Sequence, residues 1–178
     1  MLNPLHIILV GPMGSGKSSI GQRLAWRLER EFIDLDARIE AEADTTIAEI
    51  FESQGESGFR LRECHALKDV LMKTEASVIA TGGGAVLDEG NRRAMRDAGT
   101  VVYLQVEPAM QLRRLQGDRT RPLLAIDDPA QRLADLQYMR EPLYRDVADV
   151  IFETTHHSTQ DAADALAALL IQVSERCA

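Results

Sequence analysis

Gly11-Pro12-Met13-Gly14-Ser15-Gly16-Lys17-Ser18-Ser19, GPMGSGKSS, stands between the apolar run HIILV (residues 6–10) and the helix-like stretch IGQRLAWRLERE (20–31). Gly11, four residues, then Gly16-Lys17-Ser18 satisfies G-x-x-x-x-G-K-[ST], in the strand-before, helix-after context that gives this pattern its mechanism. Glycines let the backbone curl and aim N–H groups inward, and the helix N-terminus adds partial positive charge. Lys17 can reach β- and γ-phosphates, and the Ser18 hydroxyl can serve Mg²⁺. The stretch therefore predicts a triphosphate cradle built from Gly14, Ser15, Gly16, Lys17, Ser18 and Ser19.

Outward from the cradle, short apolar runs alternate with longer helical patterns. After HIILV come EFIDLD (31–36), SVIAT (77–81), TVVYLQV (100–106) and DVIFET (149–154), five predicted strands whose continuous apolar character suits burial on both faces. Helices between them supply the crossovers that parallel neighbours require, which predicts an α/β sandwich. Ile20, Leu24 and Leu28 recur at spacing four in the helix after the cradle, where Gly21 permits close approach to the sheet. Leu166, Leu169, Leu170 and Val173 form a similar apolar face in the last helix, opposite Asp161, Asp164 and Gln172.

Two segments do not fit a plain alternation. Residues 37 to about 75 form a long insert in which Thr46 and Glu49 spell a capping box and Gly55 a helix stop; it is the expected substrate subdomain. LQGDRTRPLLAIDDP, about 115–129, carries Gly, Pro and charges where a helix would otherwise continue, and is expected to be a flap over the nucleotide. With 178 residues, 45% hydrophobic, and no linker or repeat, the chain is expected to be a single domain, 1–178.

Composition narrows the partners. A net charge of −8 argues against nucleic acid and anionic membranes, no apolar run approaches the roughly 20 residues of a membrane span, and the start of the chain lacks a signal-peptide pattern. Two cysteines, Cys64 and Cys177, have no metal-type spacing, so a reducing cytoplasm is expected. The tandem His156 and His157 read as exposed loop residues, and Cys64 and His65 as packing or surface. No N-K-x-D guanine-reading motif occurs, and the chain is short for a motor, which leaves phosphoryl transfer to a small molecule.

SVIATGGG offers no acid to share Mg²⁺ with the cradle hydroxyl, so the acids at the end of the second strand, Asp34 and Asp36, take that place. Spacing of two puts both on one face of a strand. Asp34 is expected to reach Mg²⁺ through water and Asp36 to accept a hydrogen bond from the hydroxyl being phosphorylated; the alternative makes one of them a helix N-cap. Gly82, Gly83 and Gly84 mark either close approach of a ligand to the main chain or a tight turn. Of 17 arginines against 3 lysines, Arg60, Arg121 and Arg140 stand out: each is either an ordinary surface charge or a planar fork for carboxylate or phosphate.

Taken in order, GPMGSGKSS, FIDLD, IAEIFESQGESGFRLRE, VIATGGGAV, NRRAM, RTRPLL and REPLYR resemble the shikimate kinase family, from about residue 5 to residue 147. The resemblance implies a nucleoside-monophosphate-kinase-like, three-layer P-loop fold with a five-stranded parallel sheet in the order 2-3-1-4-5. It implies a helical substrate-binding insert and a lid, and transfer of the ATP γ-phosphoryl group to the 3-hydroxyl of shikimate with Mg²⁺, in a monomer. By position it assigns Asp36, Arg60, Gly82, Gly83, Gly84 and Arg140 to shikimate, the two arginines to its carboxylate. Arg121 is assigned to the transferring phosphates, Arg114 to the adenine side, and Glu63 to orienting Arg60 or Asp36. ETTHHSTQD lacks the proline common in the family's adenine loop, so adenine contacts there stay unassigned. A gluconate-type kinase and a catalytically silent nucleotide-binding homologue are the alternatives.

Overall fold

Five apolar runs form one parallel sheet in the order β2-β3-β1-β4-β5. A computed structural model describes residues 6–116 and 128–176. The strands are β1 (His6–Val10), β2 (Glu31–Asp34), β3 (Ser77–Ala80), β4 (Gly99–Gln105) and β5 (Val150–Glu153). The helices are α1 (Lys17–Arg27), α2 (Leu35–Ala43), α3 (Ile47–Leu71), α4 (Glu89–Ala98), α5 (Pro108–Leu115), α6 (Pro129–Val147) and α7 (Thr159–Arg176).

Alternation along the strands divides the interior into two cores. Ile8, Val10, Ile79, Val101 and Tyr103 face a layer that includes α3, α4 and α6, while Ile7, Leu9, Val78, Val102 and Leu104 face α1 and α7. That is the three-layer arrangement expected from continuous apolar strands. On α1, Ile20, Gly21, Leu24 and Ala25 are buried. On α7 the buried face is Ala162, Ala163, Leu166, Ala167 and Leu170, so three alanines join the leucines that mark the face in the sequence.

Three local features differ from, or sharpen, the sequence expectation. β2 stops at Asp34 rather than residue 36, because Asp34 caps α2: its Oδ1 accepts from the N–H groups of Asp36 and Ala37 at 3.1 and 3.2 Å. Asp36 thus belongs to the first helical turn, not to a strand face. Thr46 and Glu49 form the reciprocal capping box. The Glu49 carboxylate, accepting from the Thr45 hydroxyl and from the N–H and hydroxyl of Thr46, is held down at about 2. Gly55, with φ 69° and ψ −178°, breaks α3 without ending it; helix resumes at once and runs to Leu71. Within the expected lid, about 115–129, residues 117–127, including Arg121, lie outside the described residues, as does Cys177.

Parallel strands place all their C-terminal ends on one edge, the edge where α/β sheets bind ligands. Here the loops leaving β1, β2 and β3 bring together the glycine-rich stretch, Asp34 and the run Gly82–Gly84.

Gly21 makes the packing of α1 testable. A methyl group there would stand 2.8 Å from the Phe32 ring and 2.9 Å from the Leu9 side chain. Inside an ordinary helix, Gly→Ala gains about 1 kcal/mol; overpacking a filled core costs about 1–3 kcal/mol. Gly21→Ala is expected to lower the urea midpoint at unchanged m-value, and a raised midpoint would contradict the close contact.

Candidate active site

The loop after β1 owes its shape to glycine: Gly11, Gly14 and Gly16 have φ of 144°, 78° and 94°. Gly16 is the N-cap of α1 in the left-handed region, where an L side chain is strained. Lys17 folds back so that Nζ donates to the carbonyls of Gly11 and Pro12, both at 2.8 Å, which holds the ammonium across the mouth of the loop. Gly14, Gly16, Lys17, Ser18 and Ser19 line a cleft of about 740 Å³. The Ser15 side chain does not; it is buried beneath the loop.

At the edge of the cradle the Ser18 hydroxyl donates to Asp34 Oδ2 at 2.5 Å. Asp34 is thus the N-cap that the sequence offered as an alternative, with one oxygen on α2 and the other accepting from the cradle hydroxyl. Two hard oxygen donors side by side fit Mg²⁺, which takes one or two protein oxygens and completes its shell with water and phosphate. Among the described residues no group of three or more His, Cys, Asp or Glu could hold a metal.

The same cleft continues past the cradle to Asp36, Arg60, Glu63, Gly82, Gly83, Gly84 and Arg140. α2, α3, the loop after β3, and α6 each supply part of this wall. Arg60 Nη1 donates to Glu63 Oε2 at 2.7 Å, and its Nε and Nη2 donate to Glu56 Oε1 at 3.3 and 3.1 Å. Burial alone would push Arg60 down, but Glu63 and Glu56 outweigh it and the net direction is upward. Glu63 is 1% exposed. Burial drives its carboxyl above the ordinary range, with Asp36 adding to the rise and Arg60 and Arg140 opposing it. Arg140, 4% exposed, is lowered by burial and by the positive charge of Arg60, while Tyr144 opposes the fall.

The glycine run lets this charged wall close up. A methyl group on Gly82 would strike Glu63 Oε1 and stand 3.0 Å from Asp36 Oδ1, and one on Gly84 would overlap the Arg60 guanidinium. The run is thus a turn, with Ala85 N–H donating to the Gly82 carbonyl at 3.1 Å, and also a place of close approach. Arg114 lies at the rim, donating to the Gly14 carbonyl at 3.1 Å and to the Thr154 carbonyl at 2.8 Å. His156, His157 and His65 are exposed, and the half-buried Cys64 donates to Asn91 Oδ1 at 3.0 Å.

Several wall residues carry no prior sequence assignment. Phe51 and Phe59, ring centroids 4.9 Å apart, make an apolar side of the cleft with Ile47 and Ala48. Their signal was present in IAEIFESQGESGFR, where aromatics frame the break at Gly55. Thr154 and Gln111, whose Nε2 donates to the Met13 carbonyl at 2.9 Å, act on main-chain groups and left no comparable mark.

Comparison with known proteins agrees with this geometry. Residues 13–170 match the family described as shikimate kinase. A shikimate kinase of Chromohalobacter salexigens is 53% identical over 148 residues, 83% of this chain and 82% of that one. One from Halorhodospira halophila is 51% identical over 152 residues, 85% of each chain. The structure of shikimate kinase from Acinetobacter baumannii in complex with shikimate superposes with a TM-score of 0.92 at 43% identity, covering 94% of this chain and 93% of that one. With a family match across most of its length, and the five-stranded 2-3-1-4-5 sheet to go with it, the chain belongs to the shikimate kinase family.

Proposed function

We propose that this cleft transfers the γ-phosphoryl group of ATP to the 3-hydroxyl of shikimate, within one domain whose insert, about 37–75, receives the acceptor. The observation that carries the assignment of residues is the pair Arg60 and Arg140. Two guanidinium groups from α3 and α6 line one cleft with Asp36, beside the Lys17 and Ser18 cradle. Glu63 and Glu56 hold Arg60 in place rather than fill the cleft, and two planar forks facing one cleft suit the carboxylate of an acceptor. The A. baumannii relative was solved with shikimate, an acceptor that has both the carboxylate and the hydroxyls this wall addresses.

In this reading Gly14, Ser15, Gly16, Lys17, Ser18 and Ser19 cradle the phosphates, the loop N–H groups and Lys17 offsetting charge on the β- and γ-oxygens. Ser18, and Asp34 through water, would hold Mg²⁺, which when bound supplies further charge neutralisation on the nucleotide. Arg60 and Arg140 grip the shikimate carboxylate, and the Gly82–Gly84 main chain seats the ring. Asp36 accepts the hydrogen bond of the 3-hydroxyl and takes its proton as the new P–O bond forms and the bond to the β–γ bridging oxygen breaks. Glu63 keeps Arg60 in place. Arg114 faces the adenine side, and Arg121 is assigned to the transferring phosphates on the resemblance of RTRPLL. Phosphoryl transfer asks the protein chiefly for such alignment and charge stabilisation.

Function as a monomer in the cytoplasm completes the reading. Among the described residues no helix is long and apolar enough to cross a membrane.

Three measurements test these roles. Shikimate should make ADP appear from ATP while gluconate does not, and equal turnover of gluconate would overturn the acceptor assignment. Asp36→Asn is expected to retain its KM for ATP and to lose about 10²–10⁴ in kcat, the range of a positioned base; near-normal turnover would refute it. Arg121→Ala is expected to slow turnover by on the order of 10³ or more with little change in ATP binding, and an unchanged kcat would remove Arg121 from the phosphates.

A further inference from the structure

Tyr144 is buried at 0% exposure and does not line the cleft, yet it touches two of the groups that do. It follows Arg140 by four residues on α6, so both lie on one helix face. Its hydroxyl donates to the Gly83 carbonyl at 2.5 Å, and the phenol and the Arg140 guanidinium are near enough to act on each other electrostatically, Tyr144 opposing the fall that burial imposes on Arg140. A phenol has one proton to give and lone pairs to receive; with the proton committed to Gly83, the oxygen has only lone pairs to present to the neighbouring Arg140 cation. The ring is fixed from behind by Tyr103 of β4, stacked at 5.1 Å between centroids and 24° between planes.

We propose that Tyr144 is the positioning residue of the acceptor-carboxylate site, setting Arg140 and the Gly83–Gly84 peptide relative to each other. It rests on the assignment of Arg140 to the shikimate carboxylate. Because a peptide unit is planar, tying the Gly83 carbonyl down to a hydroxyl outside the cleft turns the Gly84 N–H the opposite way, toward the wall that Gly84 lines. The same hydroxyl restrains a guanidinium whose Nη1 lies close enough to Gly83 that a methyl group there would stand 3.6 Å from it. Remove the oxygen and the ring can stay stacked, while Arg140 loses the oxygen dipole beside it and the peptide its anchor.

Tyr144→Phe tests this. The expected result is a rise of about tenfold in KM for shikimate, the size that a lost hydrogen bond produces, with KM for ATP and kcat within about twofold. The sharper readout is discrimination between shikimate and its carboxamide: the ratio of their kcat/KM values should fall about tenfold in Tyr144→Phe and stay unchanged in Tyr103→Phe, which alters the same aromatic stack. Loosened packing would lower both substrates equally and leave the ratio unmoved, and that result overturns the proposal, as does an equal effect from Tyr103→Phe. Arg140→Lys separates the underlying assignment: no change of ratio there means the carboxylate lies elsewhere, whereas a change there without one in Tyr144→Phe sinks only the role of Tyr144. If Tyr144→Phe does not fold, 3-fluorotyrosine at position 144 keeps the ring while strengthening donation and weakening acceptance, and an unmoved ratio again overturns the proposal.

Discussion

The acceptor side of the cleft depends on the burial of one carboxylate, Glu63. At 1% exposure it has left water almost completely, which costs an ion several kcal/mol unless cations repay it. Arg60, three residues earlier on α3, must then stand with Nη1 against Oε2, and that fixes where its fork faces. Arg140 adds a second cation from α6, and Asp36 adds an opposing anion from α2. Gly82 has to be glycine because Oε1 already occupies the space a methyl group would need. A single desolvated charge therefore dictates the placement of two arginines and the composition of the loop after β3. Removing it would leave the half-exposed Glu56 as the carboxylate paired with Arg60 among the described residues, a pair of the kind worth about 0–1 kcal/mol.

Where the sequence was legible, the signal was local or periodic. The five apolar runs became the five strands within one or two residues, Thr46 and Glu49 formed their capping box, and Gly21 marked close helix–sheet contact. Asp34 shows why capping a helix does not use up an acid: a carboxylate has two oxygens, and it caps α2 with one and accepts from Ser18 with the other. Ending β2 two residues early follows from the same cap, since a residue whose side chain accepts from the next turn's N–H groups has already left the strand. Gly55 was legible as a break but not as a kink from which helix resumes at once, because only the packing of residues 56–71 decides whether helix resumes.

What stayed hidden was contact with the main chain. Tyr144, Arg114 and Gln111 reach carbonyl groups 61, 40 and 98 residues away. Every residue carries a carbonyl, so the receiving end of such a bond leaves no trace in residue type, and the donor reads as an ordinary core or surface side chain. REPLYR places Tyr144 four residues after Arg140, but the chemistry of its hydroxyl emerges only when the fold brings the Gly83 carbonyl to it.

The cradle shows why such contacts matter for chemistry. A loop meant to hold an anion has one intrinsic fault: each peptide that offers an N–H also carries a carbonyl of the wrong polarity, and a small rotation would turn that oxygen toward the phosphate. Here four consecutive carbonyls are taken by donors. Lys17 holds those of Gly11 and Pro12, Gln111 holds Met13, and Arg114 holds Gly14. Two of these donors, Gln111 and Arg114, stand on α5, and Arg114 is itself tied to Thr154 at the end of β5. The polarity of the loop is thus set by the chain's own side chains, at Gly11 and Pro12 by Lys17 and at Met13 and Gly14 by donors from the far half of the sheet, which is the kind of preorganisation that leaves little to rearrange when charge accumulates on the transferring group. It also means that α5, which leads directly into residues 117–127, shares its attachments with the phosphate loop, and any displacement of that helix would be felt first at the carbonyls of Met13 and Gly14.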